Sequence, residues 1–200
     1  MIHQYQTIRT EVRDFLYKEK GSKFIGFAFP VQNEVDLKEK LEKLRAEHPK
    51  ATHHCYAYRL GIQGENYRAN DDGEPSGSAG LPIYNQLLAH QLTQILVVVV
   101  RYFGGTKLGV SGLVKSYKEC AKLTLEQAEI ITKELESTIE IHFKFAQQNV
   151  IFSILNQIDA KIIDFLAEED CTILAQIKNA SKKNISEKLS EMQYVSFKIL

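Results

Sequence analysis

The chain has 200 residues, 44% of them apolar, and 25 acidic residues balance 25 basic ones. That apolar share fills a sizeable core and argues against a disordered polymer, while the neutral balance leaves no global field to steer the molecule toward nucleic acid, membrane or acidic substrate. Any such contact has to be local. Cys55, Cys120 and Cys171 are far apart and odd in number, which reads as the reduced thiols of a cytoplasmic protein rather than a disulfide framework. The opening segment mixes charges of both signs and does not read as a secretory signal. The longest apolar run, Ile95 to Val100, is too short to span a bilayer, so no membrane partner is expected.

In chain order, "SKFIGFAFPV" (22–31) mixes aromatic and β-branched residues as a strand does. "NEVDLKEKLEKLRAEH" sets Val35, Leu37, Leu41 and Leu44 near one face of a charged helix, with Asn33 available as its cap. "THHCYAYRL" alternates as a strand, with Cys55, Ala57 and Arg59 on one face and His54, Tyr56 and Tyr58 on the other. Residues 61–80 lose all periodicity, hold five glycines and read as one long loop. "LPIYNQLLAHQ" is a helix with Pro82 at a tolerated early position, and "TQILVVVV" is a buried central strand. "SGLVKSYKECAKLTLEQA" is a helix with Leu113, Val114, Tyr117, Ala121 and Leu125 on or near one stripe.

Past residue 130 a smaller pattern follows. "STIEIHFKF", "AKIIDFLAEE", "CTILAQIKNA" and "QYVSFKIL" read as strands, and "AQQNVIFSILNQI" and "KKNISEKLSEM" as helices. The order is βαββαβ, two helices over one face of a four-stranded antiparallel sheet. Two α+β domains are expected, 1–130 and 136–200, divided near the charged segment "EIITKELE".

The segment "VVVVRYFGGTKLGVSGL" runs from buried strand through glycines into a helix, which offers free backbone N–H groups at the positive end of a helix dipole. Its spacing fits neither G-x-x-x-x-G-K-[ST] nor G-x-G-x-x-G. Spacing alone leaves two accounts open: an anion seat, or glycines at Gly104, Gly105, Gly109 and Gly112 that serve turns and close packing. Between Val97 and Lys118 the chain carries Arg101, Lys107, Lys115 and Lys118 and no acid, so a local basic patch is expected, with Tyr102 or Phe103 placed to stack on a base. A second basic cluster, Lys178, Lys182, Lys183 and Lys188, is a weaker candidate for phosphate.

The loop "RANDDGEPSGSAG" groups Asp71, Asp72 and Glu74 with Ser76 and Ser78. Three close carboxylates either hold Mg²⁺ or supply a base, or they cap neighbouring N–H groups and the helix at Leu81. His53 and His54 are adjacent on a strand, so they point to opposite faces and do not chelate one ion together.

Taken together, "RANDDGEPSGSAGLPI" and "VVVVRYFGGTKLGVSGLVKSY" resemble the signature of the IMPACT family over essentially the whole chain. The motif positions are Asp71, Asp72, Gly73, Glu74, Pro75, Ser76, Gly77, Ala79 and Gly80, then Arg101, Tyr102, Phe103, Gly104, Gly105, Lys107, Leu108 and Gly109. The resemblance implies a first domain of ribosomal-protein-S5-domain-2-like fold and a ferredoxin-like second domain similar to the last domain of elongation factor G. It also implies a role in translational control but transfers no partner; RNA, DNA or the translation machinery as partner, with no cofactor, is the expectation of the binding reading. It transfers no catalytic residue. A dipeptidase activity is not supported, since no two-metal set of spaced Asp, His and Glu ligands is present.

The resulting expectation is a binding protein whose phosphate contacts are Arg101, Tyr102, Gly104, Gly105, Lys107, Gly109 and Lys115, beside a motif loop of Asp71, Asp72, Glu74 and Ser76. The alternative is a phosphotransferase or hydrolase in which the same carboxylates bring Mg²⁺. Pure protein–protein scaffolding is a third possibility, marked by an exposed apolar patch and no anion.

Overall fold

The computed structural model describes residues 3–200. The chain divides into two compact units, Tyr5–Lys133 and Glu134–Leu200, the second joined by His3 and Gln4.

The strands of the larger unit are β1 (Gln4–Ile8), β2 (Val12–Glu19), β3 (Ser22–Pro30), β4 (His53–Leu60), β5 (Asn66–Asn70), β6 (Ile95–Tyr102) and β7 (Ile130–Glu134). Its helices are α1 (Glu34–Glu47), α2 (Gly80–Ala89) and α3 (Gly109–Glu126). Five strands form an antiparallel sheet in the order β2-β3-β6-β4-β5, while β1 and β7 pair separately. The central strand explains the unbroken apolar run. Ile95, Val97 and Val99 pack under α2 and α3 with Tyr117, Ala121 and Leu125, whereas Leu96, Val98 and Val100 pack under α1 with Leu37 and Leu44. A strand covered on both faces needs no polar alternation.

Helix α1 starts where its cap residue predicts: the Asn33 side chain accepts from the Val35 and Asp36 N–H groups at 2.9 and 3.0 Å. Val35 does not join the apolar face and is 66% exposed. β4 alternates as read from sequence, with Cys55 and Ala57 toward α2 and α3 and Tyr56 and Tyr58 on the α1 side.

One expectation needs correction. The stretch 61–80 is not one loop, because β5 lies within it and pairs antiparallel with β4 from Leu60↔Asn66 to Tyr56↔Asn70. The charged segment near 130 holds a strand not read from sequence, β7. Both strands are short and mostly exposed, and a strand without a buried face shows no alternation.

The smaller unit contains β8 (Glu136–Lys144), α4 (Gln148–Gln157), β9 (Lys161–Leu166), β10 (Asp170–Lys178), α5 (Lys182–Ser190) and β11 (Val195–Ile199). Its sheet runs β11-β8-β10-β9, antiparallel throughout. Ile151, Leu155, Ile185 and Leu189 of the helices close over Ile139, Ile141, Phe143, Ile173, Ala175 and Ile177. The expected α+β class and βαββαβ order therefore hold. Three of the four lysines of the second basic cluster have local partners: Lys178 pairs with Glu134, Lys183 with Glu187, and Lys188 hydrogen-bonds Gln157. No helix among the described residues is long and apolar enough to cross a membrane.

Candidate functional site

The two motif loops meet in the larger unit. β6 ends at Tyr102, and the chain turns through Gly104 and Gly105 into α3. The turn lies against the β2–β3 hairpin: a Cβ added at Gly104 would sit 2.0 Å from the Gly21 carbonyl carbon, so only glycine fits. Gly105 and Gly109 serve the other purpose, holding φ at +87° and +71° with open space around them. Close packing and turn conformation, the two parts of the second account of these glycines, thus fall at different positions.

Between this turn and the "DDGEPSG" loop lies a recess of about 350 Å³. Its charged and polar lining is His53, Glu74, Arg101 and Lys107, and its apolar lining is Pro75, Phe103, Leu108, Val110 and Leu113. Arg101 closes the β6 end and is only 5% exposed. Its Nη1 donates to Glu74 Oε1 at 2.5 Å, and the Tyr117 hydroxyl donates to the same oxygen at 2.8 Å. Its Nε is buried without a partner. The guanidinium lies 5.5 Å from the Phe24 ring and 5.6 Å from the half-exposed Phe103 ring. Arg101 is therefore a buried, paired cation at the floor, not the open surface contact its position after the valine run suggested.

The three carboxylates diverge. Asp71 accepts from the Gly77, Ala79 and Gly80 N–H groups at 2.8–2.9 Å, which caps α2 where Ala79 offers no side chain to do so. Asp72 accepts from the His54 N–H at 2.6 Å and from Arg45 at 2.7 Å. Burial pushes its carboxyl up, but Arg45 and the His54 N–H outweigh that and hold it below the ordinary carboxylate value. Glu74 is spent on Arg101 and Tyr117. Ser76 stays exposed at the tip of the loop. Mg²⁺ does not fit this set, since no two of these carboxylates turn toward one point, and among the described residues no His, Cys, Asp and Glu cluster is disposed to hold a metal.

The neighbours are equally specific. His53 Nδ1 lies 2.8 Å from the Asp72 carbonyl oxygen. A carbonyl only accepts, so Nδ1 carries the proton and Nε2 is left toward Glu74, 3.8 Å away. His54, on the other face of β4, is buried, which together with Arg45 pushes its pKa down. Cys55 hydrogen-bonds the Asp71 carbonyl and Tyr117, and burial raises its thiol far out of the reactive range. The Tyr117 phenol is likewise pushed up by burial, with Cys55 and Glu74 adding to it. Helical spacing places Tyr117 in the core but says nothing of its polar end, and the strand position of His53 gives no sign of its tie to the Asp72 carbonyl.

The remaining predicted residues scatter. Lys107, Gly109 and Phe103 line the recess. Gly104 and Gly105 shape the exposed turn beside it. Lys115 is exposed on α3 outside the recess. Tyr102 turns to the opposite face, where its hydroxyl meets His48 Nδ1 at 2.9 Å. α3 begins at Gly109 with no side-chain cap, so its first N–H groups have no intrachain side-chain acceptor.

The Impact N-terminal domain family matches residues 20–125, which span both loops and the whole recess. The chain belongs to the IMPACT family. It is similar to the IMPACT family member YigZ of Escherichia coli, 33% identical over 183 residues and 90% of each chain. It is also similar to the IMPACT family member YvyE of Bacillus subtilis, 37% identical over 135 residues, 68% of this chain and 62% of that one, somewhat under two thirds of its length. A crystal structure titled a hypothetical protein matches 100% of this chain and 98% of its own with a TM-score of 0.70 at 30% identity. The IMPACT motif residues thus fall into two groups, those that hold the "DDGEPSG" loop together and those that leave the mouth of the recess open.

Proposed function

We propose that this IMPACT-family protein is a nucleic-acid-binding protein of the cytoplasm, with RNA or DNA, alone or within the translation machinery, as its partner. One observation carries the reading. The uncapped start of α3, exposed Lys107 and the floor residue Arg101 converge on one recess, with the exposed Phe103 ring at its mouth. Helix-start N–H groups beside a lysine suit a phosphate, and an exposed ring beside a phosphate suits a base. Translation as the setting rests on the family resemblance.

The apolar lining of the recess, with a few polar groups set in it, also favours a second reading, a small-molecule enzyme that holds a phosphate. It is weakened by the divergence of Asp71, Asp72 and Glu74, which leaves a phosphotransferase without its Mg²⁺ ligands. Fluorescence anisotropy of labelled single-stranded RNA and DNA, titrated at several salt concentrations, tests the first. Log K should fall linearly with log salt, and Lys107→Ala should weaken binding and reduce the slope by about 0.7–1. No binding, or a folded Lys107→Ala variant with unchanged affinity and slope, would falsify it.

A further inference from the structure

Resting on that reading, we propose that the nucleic acid is single-stranded and passes over Phe103 onto the α1-side face of β2, β3 and β6, where Lys18, Lys20 and Lys23 hold its phosphates. The β2–β3 hairpin carries the first ground. Lys18 stands directly opposite Lys23 in the antiparallel register, and Lys23 in turn stands opposite Tyr102 of β6. Like charges so placed repel and weaken a sheet. Both lysines are exposed, and neither has an ion-pair partner among the described residues. The two-residue turn between the strands repeats the pattern. Lys20 and Gly21 hold φ at +45° and +82°, and the first of these left-handed positions is ordinarily filled by Asn, Asp or Gly. The hairpin thus gathers three lysines at positions where its own stability favours other residues, and an anionic partner accounts for all three.

No neighbouring acid answers this charge. Glu19, the one acid in "KEKGSK", points to the other face of β2, where the Tyr17 hydroxyl donates to it. Glu47, at the end of α1, is bound by Arg13.

Position is the second ground. The hairpin tip touches the glycine turn: the Gly104 N–H donates to Ser22 Oγ at 3.2 Å, and Gly104 lies against Gly21. Phe103 lines the recess described above and also a second, open hollow of about 400 Å³ with Gly21, Lys23, Ile25, His48 and Tyr102. A path bordered by lysines therefore runs from Lys107 across the half-exposed Phe103 ring to Lys23.

The ring chooses the occupant. Lysines alone suit any polyanion, but an exposed ring among them stacks on a base, and only an unpaired base can be splayed out to meet it.

The test is fluorescence anisotropy of the full-length protein with a labelled single-stranded RNA of about ten nucleotides, with its duplex, and with poly-glutamate as competitor, each at several salt concentrations. The single strand should bind about tenfold tighter than the duplex, and Phe103→Ala should remove about that factor. The double variant Lys18→Ala/Lys23→Ala should lower the slope of log K against log salt by about 1.4. Lys23→Glu separates binding from folding, because it turns a repulsive cross-strand pair into an attractive one. It should weaken binding while the unfolding temperature stays at or above the wild-type value. A fall in that temperature would show that Lys23 serves the fold, and it overturns the proposal. An unchanged slope in the double variant overturns it too, and leaves the nucleic-acid reading standing when Lys107→Ala still weakens binding. Duplex that binds as tightly as the single strand, or RNA displaced by poly-glutamate at equal charge, overturns the single-stranded occupant. No binding by any probe overturns both readings.

Discussion

The "DDGEPSG" loop and the "GGTKLG" turn face one another across the recess and use polarity in opposite ways. In the first, every acidic side chain is consumed inside the fold: Asp71 caps α2, Asp72 holds Arg45 and the His54 N–H, and Glu74 neutralises Arg101. In the second, the residues from Phe103 to Lys107 and from Gly109 to Ser111 are exposed, and the helix start has no side-chain cap. A cluster of charges in a sequence therefore shows that chemistry is possible, not that it is available. The contrast predicts that substitutions in the first loop unfold the protein, while those in the second leave it folded and change what it binds.

Glu74→Gln should have the largest effect, since it leaves the Arg101 guanidinium buried without a counter-charge. A loss of about 3–5 kcal/mol is expected in urea denaturation, and a loss below 1 kcal/mol would break the comparison. Asp71→Ala removes the acceptor of three backbone N–H groups, two of them at the start of α2, and should cost about 2 kcal/mol by the same measurement. Acid should act next. The depressed pKa of His54 means that below about pH 6.5 the unfolded chain takes up a proton the folded state resists, so stability falls as pH drops from there. A second fall belongs to Asp72: its stabilisation is full above the ordinary value of 3.8 and is lost as pH drops through its lower folded value. His54→Gln should flatten the first fall and spare the second, as read from thermal midpoints across pH. Lys107→Ala should have the smallest effect on stability, within about 0.5 kcal/mol, because the side chain is exposed and has no ion-pair partner among the described residues.

The βαββαβ unit was legible because each of its strands and helices buries one face, and burial is what writes a period into a sequence. β6 was legible for the opposite reason, since burial on both faces writes a continuous apolar run. β5 was not, because a strand whose residues are nearly all exposed writes nothing. The recess was half legible. Both of its loops stood out by composition, and Lys107 and Gly109 do lie at its edge. The Arg101–Glu74 pair joins the end of β6 to a residue of the "DDGEPSG" loop, each with an ordinary surface reading of its own, and no local pattern links them. Tyr117 was hidden by its helical spacing, which explains its ring and says nothing of its hydroxyl.

Where Gly104 lies against Gly21, backbone rests on backbone with no room for a single added carbon. The turn between Phe103 and Lys107, two residues that line the recess, is thereby held by main chain and anchored to the β2–β3 hairpin far away in sequence. That anchor needs no side chain of the turn itself, so exchanging Phe103 or Lys107 leaves the turn where it is.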